Sequence, residues 1–235
     1  MSDWWTTPVL AYHRVGVATG DHVPTVSPEA FEAQVRWMHR WGYQTITFSQ
    51  FIAALEQDQP ARQRTVVITF DDGYAETYEL AAPILRRYGF CGIVFVTPSE
   101  VGQQGFLTWD QVRELSQDSI AVGSHTMHHT YLPLVSREQV QHELTESKHA
   151  LDQRLGQPVE WLSYPIGGFN IEIQSLAKAA GYRAACTTNR GYSKRARDLF
   201  AIRRIKVTER DQNPLLFWTK LSGYYDVFRR LERPA

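Results

Sequence analysis

Short apolar runs rich in β-branched residues alternate along the chain with amphipathic helical patterns. This alternation is typical of a parallel β-sheet with helices packed on its outside. The runs predict seven strands, at Val9–Val15, Thr65–Asp71, Cys91–Val96, Ile120–Ser124, Trp161–Tyr164, Arg183–Thr188 and Phe200–Val207. No linker long enough to separate domains interrupts them. We therefore expect residues 1–235 to form one domain, a closed or nearly closed β/α barrel.

The helices between these strands have recognisable start and stop signals. Ser27, followed by Pro28, predicts an N-cap, because apolar residues follow it at three- and four-residue spacing. Ser136 begins another helix, which ends at Gly156. A last helix at about residues 212–232 is rich in apolar and aromatic residues. We expect it to pack on the barrel, with an interfacial membrane anchor as the alternative.

Charge excludes one class of partner. The formal net charge is zero, whereas a nucleic-acid binder needs a basic surface to displace counterions from phosphate. From Arg190 onward, 12 Lys and Arg residues face 5 Asp and Glu residues. This basic tail is either a solvated surface or a peripheral contact with anionic lipid or a lipid-linked glycan. Because no signal-peptide pattern or membrane-length apolar run is present, we expect a cytoplasmic protein, and the oligomeric state stays open.

Two adjacent carboxylates, Asp71 and Asp72, lie in the segment Thr69-Phe-Asp-Asp-Gly-Tyr74, which follows the apolar run Val66-Val-Ile. β/α barrels place their active sites at the carboxyl ends of such strands, and Gly73 lets the backbone turn away sharply. Because a strand end points neighbouring side chains in different directions, one Asp can bind a metal while the other faces substrate. The structural alternative is that one Asp merely caps the following helix.

A histidine cluster follows the next but one predicted strand, in the segment Ser124-His-Thr-Met-His-His129. His125 and His129 are four residues apart, so one helical turn would bring both imidazoles to the same side, at a spacing suited to one cation. His128 competes as a ligand.

One carboxylate and two imidazoles make a three-ligand site with open positions, which is the arrangement of a catalytic metal. Zn²⁺ is the leading candidate, with Co²⁺, Ni²⁺ or Mn²⁺ as alternatives. The same ligand set also occurs in non-haem Fe(II) oxygenases. The second Asp favours hydrolysis, because hydrolysis needs a general base and oxygen activation does not.

These segments resemble a known family. Thr69-Phe-Asp-Asp-Gly73 and His125-Thr-Met-His-His129 are similar to the first two motifs of the polysaccharide deacetylases, carbohydrate esterase family 4, with their NodB-homology domain. Further segments resemble the poly-β-1,6-N-acetylglucosamine deacetylase branch, namely Val9–Val15, Val26–Phe31, Gly42-Tyr43, Leu107–Asp110 and Ser163–Gly167. The resemblance covers residues from about 9 to 207 and implies a distorted (β/α)₇ barrel.

The chain departs from the family pattern at two places. Ser163 stands where the family's third motif has an Arg that orients the base, and no His follows His149 to serve as the late general acid. In the poly-N-acetylglucosamine branch the acid is the His of an N-terminal Tyr-His-Arg sequence, which matches His13. A hydrogen-bonded core role is the alternative for His13.

The predicted roles follow from these matches. Asp72, His125 and His129 hold the metal, Asp71 takes a proton from the attacking water, and His13 protonates the departing amine. A backbone N–H near Ile166 stabilises the oxyanion. The residues predicted to contact substrate are Tyr74, Trp109, Tyr164, Pro165 and Ile166.

The predicted function is metal-dependent hydrolysis of the N-acetyl group of N-acetylglucosamine-type residues, in a polysaccharide or glycolipid, with release of acetate. The first alternative is a cytoplasmic amidohydrolase of the same fold that acts on a small-molecule or lipid-linked sugar amide. A non-catalytic carbohydrate-binding domain and an Fe(II) oxygenase are the others.

Overall fold

The computed structural model describes residues 7–18, 20, 22–57, 64–188 and 198–222. The strands are β1 (Val9–Tyr12), β2 (Arg14–Val15), β3 (Thr25–Val26), β4 (Gln44–Thr45), β5 (Thr65–Phe70), β6 (Gly92–Val96), β7 (Ile120–Ser124), β8 (Trp161–Ser163), β9 (Ala184–Thr187), β10 (Ile202–Arg203) and β11 (Ile205–Lys206). The α-helices are α1 (Pro28–Arg40), α2 (Phe48–Glu56), α3 (Ala82–Arg87), α4 (Trp109–Gln117), α5 (Arg137–Leu155), α6 (Ile171–Ala179) and α7 (Pro214–Leu221). A π-helical turn, Thr77–Ala81, leads into α3.

The strands form a parallel sheet in the order β10-β9-β8-β7-β6-β5-β1-β11, and β4 pairs with the start of β5. Only Arg204 separates β10 from β11, which lie at opposite edges of the sheet. The two edges therefore come together at this residue, and the sheet is a nearly closed barrel with the helices around it. The predicted (β/α)₇ barrel is confirmed.

Parallel strands that are covered by helices are buried on both faces and consist of apolar runs. All six residues of β5 and all five of β6 are buried. The largest core cluster includes Phe31, Ile68 and Phe70, and Trp161 belongs to a separate buried cluster. This packing holds the strand ends rigidly in place.

Two predicted strands are interrupted. The first ends at Tyr12, and Arg14–Val15 pairs with β3 instead of continuing along the barrel. The last is split at Arg204 into β10 and β11. The apolar pattern of the sequence cannot reveal these breaks, because most residues on both sides of each break are apolar. His13 and Arg204 occupy the two breaks.

The predicted helix boundaries agree with the structure. The Ser27 side chain accepts a hydrogen bond from the Ala30 backbone N–H. Ser136 caps α5 through a capping box with Gln139, and Gly156 ends α5 in the left-handed conformation, with φ of 67°.

The C-terminal helix is described as far as Leu221, and Phe217 and Leu221 pack into the main core. The rest of the predicted helix, to about residue 232, lies outside the described residues. Two basic residues of this part of the chain are internal: Arg204 pairs with Asp71, and Lys220 with Asp211. Part of the positive charge of the predicted basic tail is therefore buried in ion pairs. In the described part of the chain, no helix combines the length and apolar character that crossing a bilayer requires.

Replacing Gly156 by Ala is expected to lower the free energy of unfolding by roughly 1 kcal/mol, because a Cβ disfavours the left-handed conformation that ends α5. An added Cβ would meet no atom within 4 Å, so backbone strain alone is tested. Gly156→Asn should lose less, since Asn tolerates this conformation. Urea unfolding of the three proteins measures the difference, and equal stability of wild type and Gly156→Ala would contradict the assignment.

Candidate metal and catalytic site

Asp72, His125 and His129 meet at the carboxyl ends of β5 and β7. One ligand atom from each residue lies within 4.8 Å of the other two. The Nε2 atoms of His125 and His129 are 3.4 and 3.3 Å from Asp72 Oδ1. The structure thus brings together the three predicted metal ligands.

The surroundings of the ligand atoms suit the binding of a cation. Asp72 Oδ1 is buried and faces both imidazole Nε2 atoms, and a buried carboxylate oxygen is costly unless it binds a metal or a charge. His125 Nδ1 lies 2.7 Å from the backbone oxygen of Ser163. Because that oxygen can only accept, Nδ1 carries the proton and Nε2 is left free to bind a metal. The residues present therefore fit a divalent cation.

The electrostatics agree with this arrangement. Burial opposes ionisation of Asp72, but the two histidines outweigh it and hold the pKa of Asp72 below its usual range. Burial likewise disfavours a charged His125, but Asp71 and Asp72 raise its pKa. The site favours positive charge beside Asp72, which is the position that a cation would take.

The predicted helical turn between His125 and His129 is wrong. The segment from His125 to His129 is not helical, and Thr126 and His129 have positive φ of 65° and 55°. Asp72 also has a positive φ, 73°. Such backbone is uncommon for non-glycine residues and costs energy unless neighbours enforce it. The loop, rather than a helical turn, directs the two imidazoles at the same point.

His128, the competing ligand, is directed elsewhere. Its Nδ1 lies 2.8 Å from Glu143 Oε1, and the side chain is 53% exposed. The metal-ligand group in the described residues contains His125 and His129 but not His128.

Asp71 forms a buried ion pair that sequence reasoning missed. Arg204 donates from both terminal nitrogens to the two carboxylate oxygens, at 2.6 and 2.7 Å. It also donates to the hydroxyls of Thr69 and Ser163. Burial alone would raise the pKa of Asp71, but the Arg204 guanidinium outweighs burial and holds that pKa below its usual range. Asp71 is therefore an ionised, rigidly oriented carboxylate.

Ser163 explains how the chain does without the family's third-motif Arg. Its small side chain leaves room for Arg204, which arrives from the junction of β10 and β11 and bonds to the Ser163 hydroxyl at 2.8 Å. The available signal was a charged pair, Arg203-Arg204, inside a predicted strand that is otherwise apolar except for Lys206. A buried Arg in such a place requires a carboxylate partner.

His13 also lies beside Asp71, with Nε2 at 4.0 Å from Asp71 Oδ2. Burial lowers the pKa of His13 despite the nearby carboxylates of Asp71 and Asp72. Its Nδ1 is buried without a hydrogen-bond partner. The position at the end of β1 thus places an imidazole beside the site, and its catalytic role stays a prediction.

The predicted substrate residues occupy different surroundings. Tyr74 is buried and stacks on Phe106, and Tyr164 is buried and stacks on Phe169. Trp109 packs on the core beneath the guanidinium of Arg154. Pro165 is buried as well. For these four residues, contact with substrate stays a prediction without structural support.

Ile166 differs from the other four, since it is 69% exposed in the loop after β8 and has φ of 58°. The neighbouring N–H groups of Gly167 and Gly168 donate to Tyr164 and Pro165. The loop therefore keeps a strained backbone at an exposed residue, Ile166, which is compatible with the predicted oxyanion contact.

Comparison with known proteins identifies the class. The family model for polysaccharide deacetylases matches residues 58–185, more than half of the chain, and the chain belongs to this family. It is 34% identical over 201 residues to YxkH of Bacillus subtilis (strain 168), a provisionally assigned polysaccharide deacetylase, covering 86% of this chain and 71% of that protein.

Two further relatives agree. The poly-β-1,6-N-acetyl-D-glucosamine N-deacetylase of Escherichia coli (strain K12) is 29% identical over 139 residues, which are 52% of this chain but only 21% of that enzyme. Among solved structures, the Streptococcus pyogenes deacetylase PplD in complex with acetate superposes with a TM-score of 0.84 and 27% identity, covering 92% of this chain and 97% of that one. The predicted family is confirmed.

Replacing Arg204 by Met is expected to cost about 3–5 kcal/mol of unfolding free energy at pH 7, because it leaves the Asp71 charge buried and unpaired. In wild type the lowered pKa means that the pair stabilises the fold above about pH 4 and is lost as pH falls through that pKa. In the variant, burial raises the pKa of Asp71, so the folded state binds a proton at a higher pH than the unfolded state does. The loss of unfolding free energy relative to wild type therefore becomes smaller as the pH falls.

Urea unfolding at pH 7 and pH 5 measures this difference. Arg36→Met, at an exposed position of α1, is the matched control and should change little. A deficit of equal size at both pH values would contradict the ionised Asp71–Arg204 pair.

Proposed function

We propose that the protein is a metal-dependent N-deacetylase of N-acetylglucosamine-type residues in a polysaccharide or glycolipid, with acetate as a product. One observation carries the proposal. The three ligand atoms of Asp72, His125 and His129, within 4.8 Å of one another, lie directly beside an oriented carboxylate, Asp71. A hydrolase needs this combination of cation site and base, whereas a carbohydrate-binding domain or an Fe(II) oxygenase does not.

Asp72, His125 and His129 would hold the cation, and Zn²⁺ suits one oxygen and two nitrogen ligands, with Co²⁺, Ni²⁺ and Mn²⁺ as alternatives. A bound divalent cation supplies a Lewis acid that polarises the acetamide carbonyl and makes water more acidic.

Asp71 acts as the general base. Arg204 uses one lone pair on each carboxylate oxygen, which leaves further acceptor positions for the proton of the attacking water. Because the carboxylate is held on both oxygens, it cannot rotate away from the reacting carbon. Its lowered pKa keeps it deprotonated throughout the neutral range.

His13 acts as the general acid that protonates the departing amine. It stands 4.0 Å from Asp71, so both groups lie within reach of one acetamide group. Because the pKa of His13 is lowered, its imidazole loses the proton as the pH rises through a value below 6.5. The backbone N–H of Ile166, a residue that is 69% exposed, is the candidate for hydrogen bonding to the oxyanion.

The relatives support the substrate class. The E. coli relative is named for N-deacetylation of poly-β-1,6-N-acetyl-D-glucosamine, and the S. pyogenes relative is a deacetylase with acetate bound. Acetate is the product that the proposed reaction releases.

Exposed aliphatic side chains favour the glycolipid form of the substrate, with peripheral contact to a lipid surface. Leu134 follows β7, and Ile166 and Ile171 follow β8, with exposures of 82%, 69% and 82%. Exposed apolar side chains are one mark of a surface that contacts lipid. Faster release of acetate from a lipid-linked than from a free oligosaccharide would support this form, and equal rates would favour the polymer.

Zn²⁺-loaded protein is expected to release acetate from N-acetylglucosamine oligomers, and a β-1,6 linkage should be preferred to the β-1,4 linkage of chitin oligomers. Removal of the cation by a chelator should abolish release, and added Zn²⁺ should restore it. Acetate is quantified enzymatically. A rate that survives complete removal of the cation would contradict metal dependence.

Asp71→Asn and His13→Gln are each expected to lower kcat on these oligomers by about 10²- to 10⁴-fold, the range for a lost acid or base. They should differ on 4-nitrophenyl acetate, whose leaving group needs no proton. Asp71→Asn should lose this activity as well, and His13→Gln should keep most of it. If His13→Gln lost both activities equally, the acid assignment would be wrong.

A further inference from the structure

Glu143 is a buried carboxylate on an otherwise core-facing side of α5. It is 6% exposed, and the other buried residues of this helix are Val140, Leu144, Ser147 and Leu151. Carboxylates are rarely buried unless they are paired. The position therefore needs an explanation beyond packing, and the metal-site chemistry described above does not use it.

The partner of Glu143 is the loop that carries two predicted metal ligands. The backbone N–H of His128 donates to Glu143 Oε2 at 2.9 Å, and the His128 ring Nδ1 lies 2.8 Å from Oε1. Because a carboxylate only accepts, the ring nitrogen donates. One carboxylate thus holds His128, the residue before His129, through both its backbone and its ring.

This loop needs external support, because Thr126 and His129 both have positive φ. Backbone in this region persists only where its surroundings enforce it. One turn further along α5, Ser147 shares a hydrogen bond with Ser124 at the end of β7, at 3.0 Å. Two polar residues of α5, four apart, therefore hold the loop at its start and at its end.

We propose that Glu143 is a positioning residue for the metal site: by holding His128 at two points, it fixes the loop geometry that directs His125 and His129 at the cation. The proposal rests on the proposed function for the metal site. Groups that orient metal ligands without touching the metal typically change affinity about 10- to 100-fold when they are removed.

The test is Co²⁺ binding to the full chain, because the visible absorption of Co²⁺ reports the geometry of its ligands. Glu143→Leu is expected to raise the Kd for Co²⁺ about 10- to 100-fold and to alter the spectrum at saturation. Glu146→Gln, at an exposed position of the same helix, should match wild type in both. Thermal unfolding of the metal-free proteins measures any purely structural loss.

Unchanged Kd and spectrum in Glu143→Leu, even with lowered thermal stability, would overturn the proposal and leave Glu143 a structural residue. If wild type binds Co²⁺ but releases no acetate from any oligomer, the proposed function fails, while the Kd comparison still decides the role of Glu143.

A second pair of variants acts on the other side of the contact. His128→Asn should keep affinity close to wild type, because its amide nitrogen takes the position of ring Nδ1 and can donate to Glu143. His128→Ala, which keeps only the backbone bond, should weaken Co²⁺ binding. Loss of binding in His128→Asn together with normal binding in Glu143→Leu would make His128 itself a ligand and would overturn the proposal.

Discussion

The Asp71–Arg204 ion pair is the interaction on which the rest of the site depends. Its members come from β5 and from the junction of β10 and β11, where the two edges of the sheet meet. Neither charge is stable in the barrel interior without the other, because an unpaired buried ion costs several kcal/mol. The same contact therefore holds the barrel closure in register and fixes the orientation of the carboxylate beside the cation site.

The candidate chemical groups lie where regular backbone stops. His13 and Arg204 occupy breaks between strands, and Asp72 and His129 have positive φ. A continuous strand would alternate these side chains into the core or the helix layer, and a break allows them to converge above the barrel. The rigid apolar strands supply fixed starting points, so the strained segments at their ends reach reproducible positions. Polar residues on the surrounding helices, such as Glu143, then hold these segments in place.

Apolar periodicity was sufficient to predict the barrel, because buried parallel strands must be apolar whatever their function. The motif residues Asp71, Asp72, His125 and His129 could be found for a related reason, since strand ends converge at one side of the barrel. Arg204 could not be found in this way, because its partner lies 133 positions away in the chain and only closure of the barrel brings them together. The loop geometry at His129 was predicted wrongly, since a spacing of four residues is compatible with a helix and with an irregular turn.

The central claim is that one divalent cation binds between Asp72, His125 and His129. X-ray absorption spectroscopy of the Zn²⁺-loaded protein tests it most directly, since it resolves imidazole ligands by their characteristic outer-shell scattering. The account predicts one Zn²⁺ per chain with two imidazole nitrogens and carboxylate oxygen at about 2.0–2.2 Å, and loss of one imidazole in His129→Ala. A spectrum without histidine scattering, or one unchanged by His129→Ala, would contradict the account.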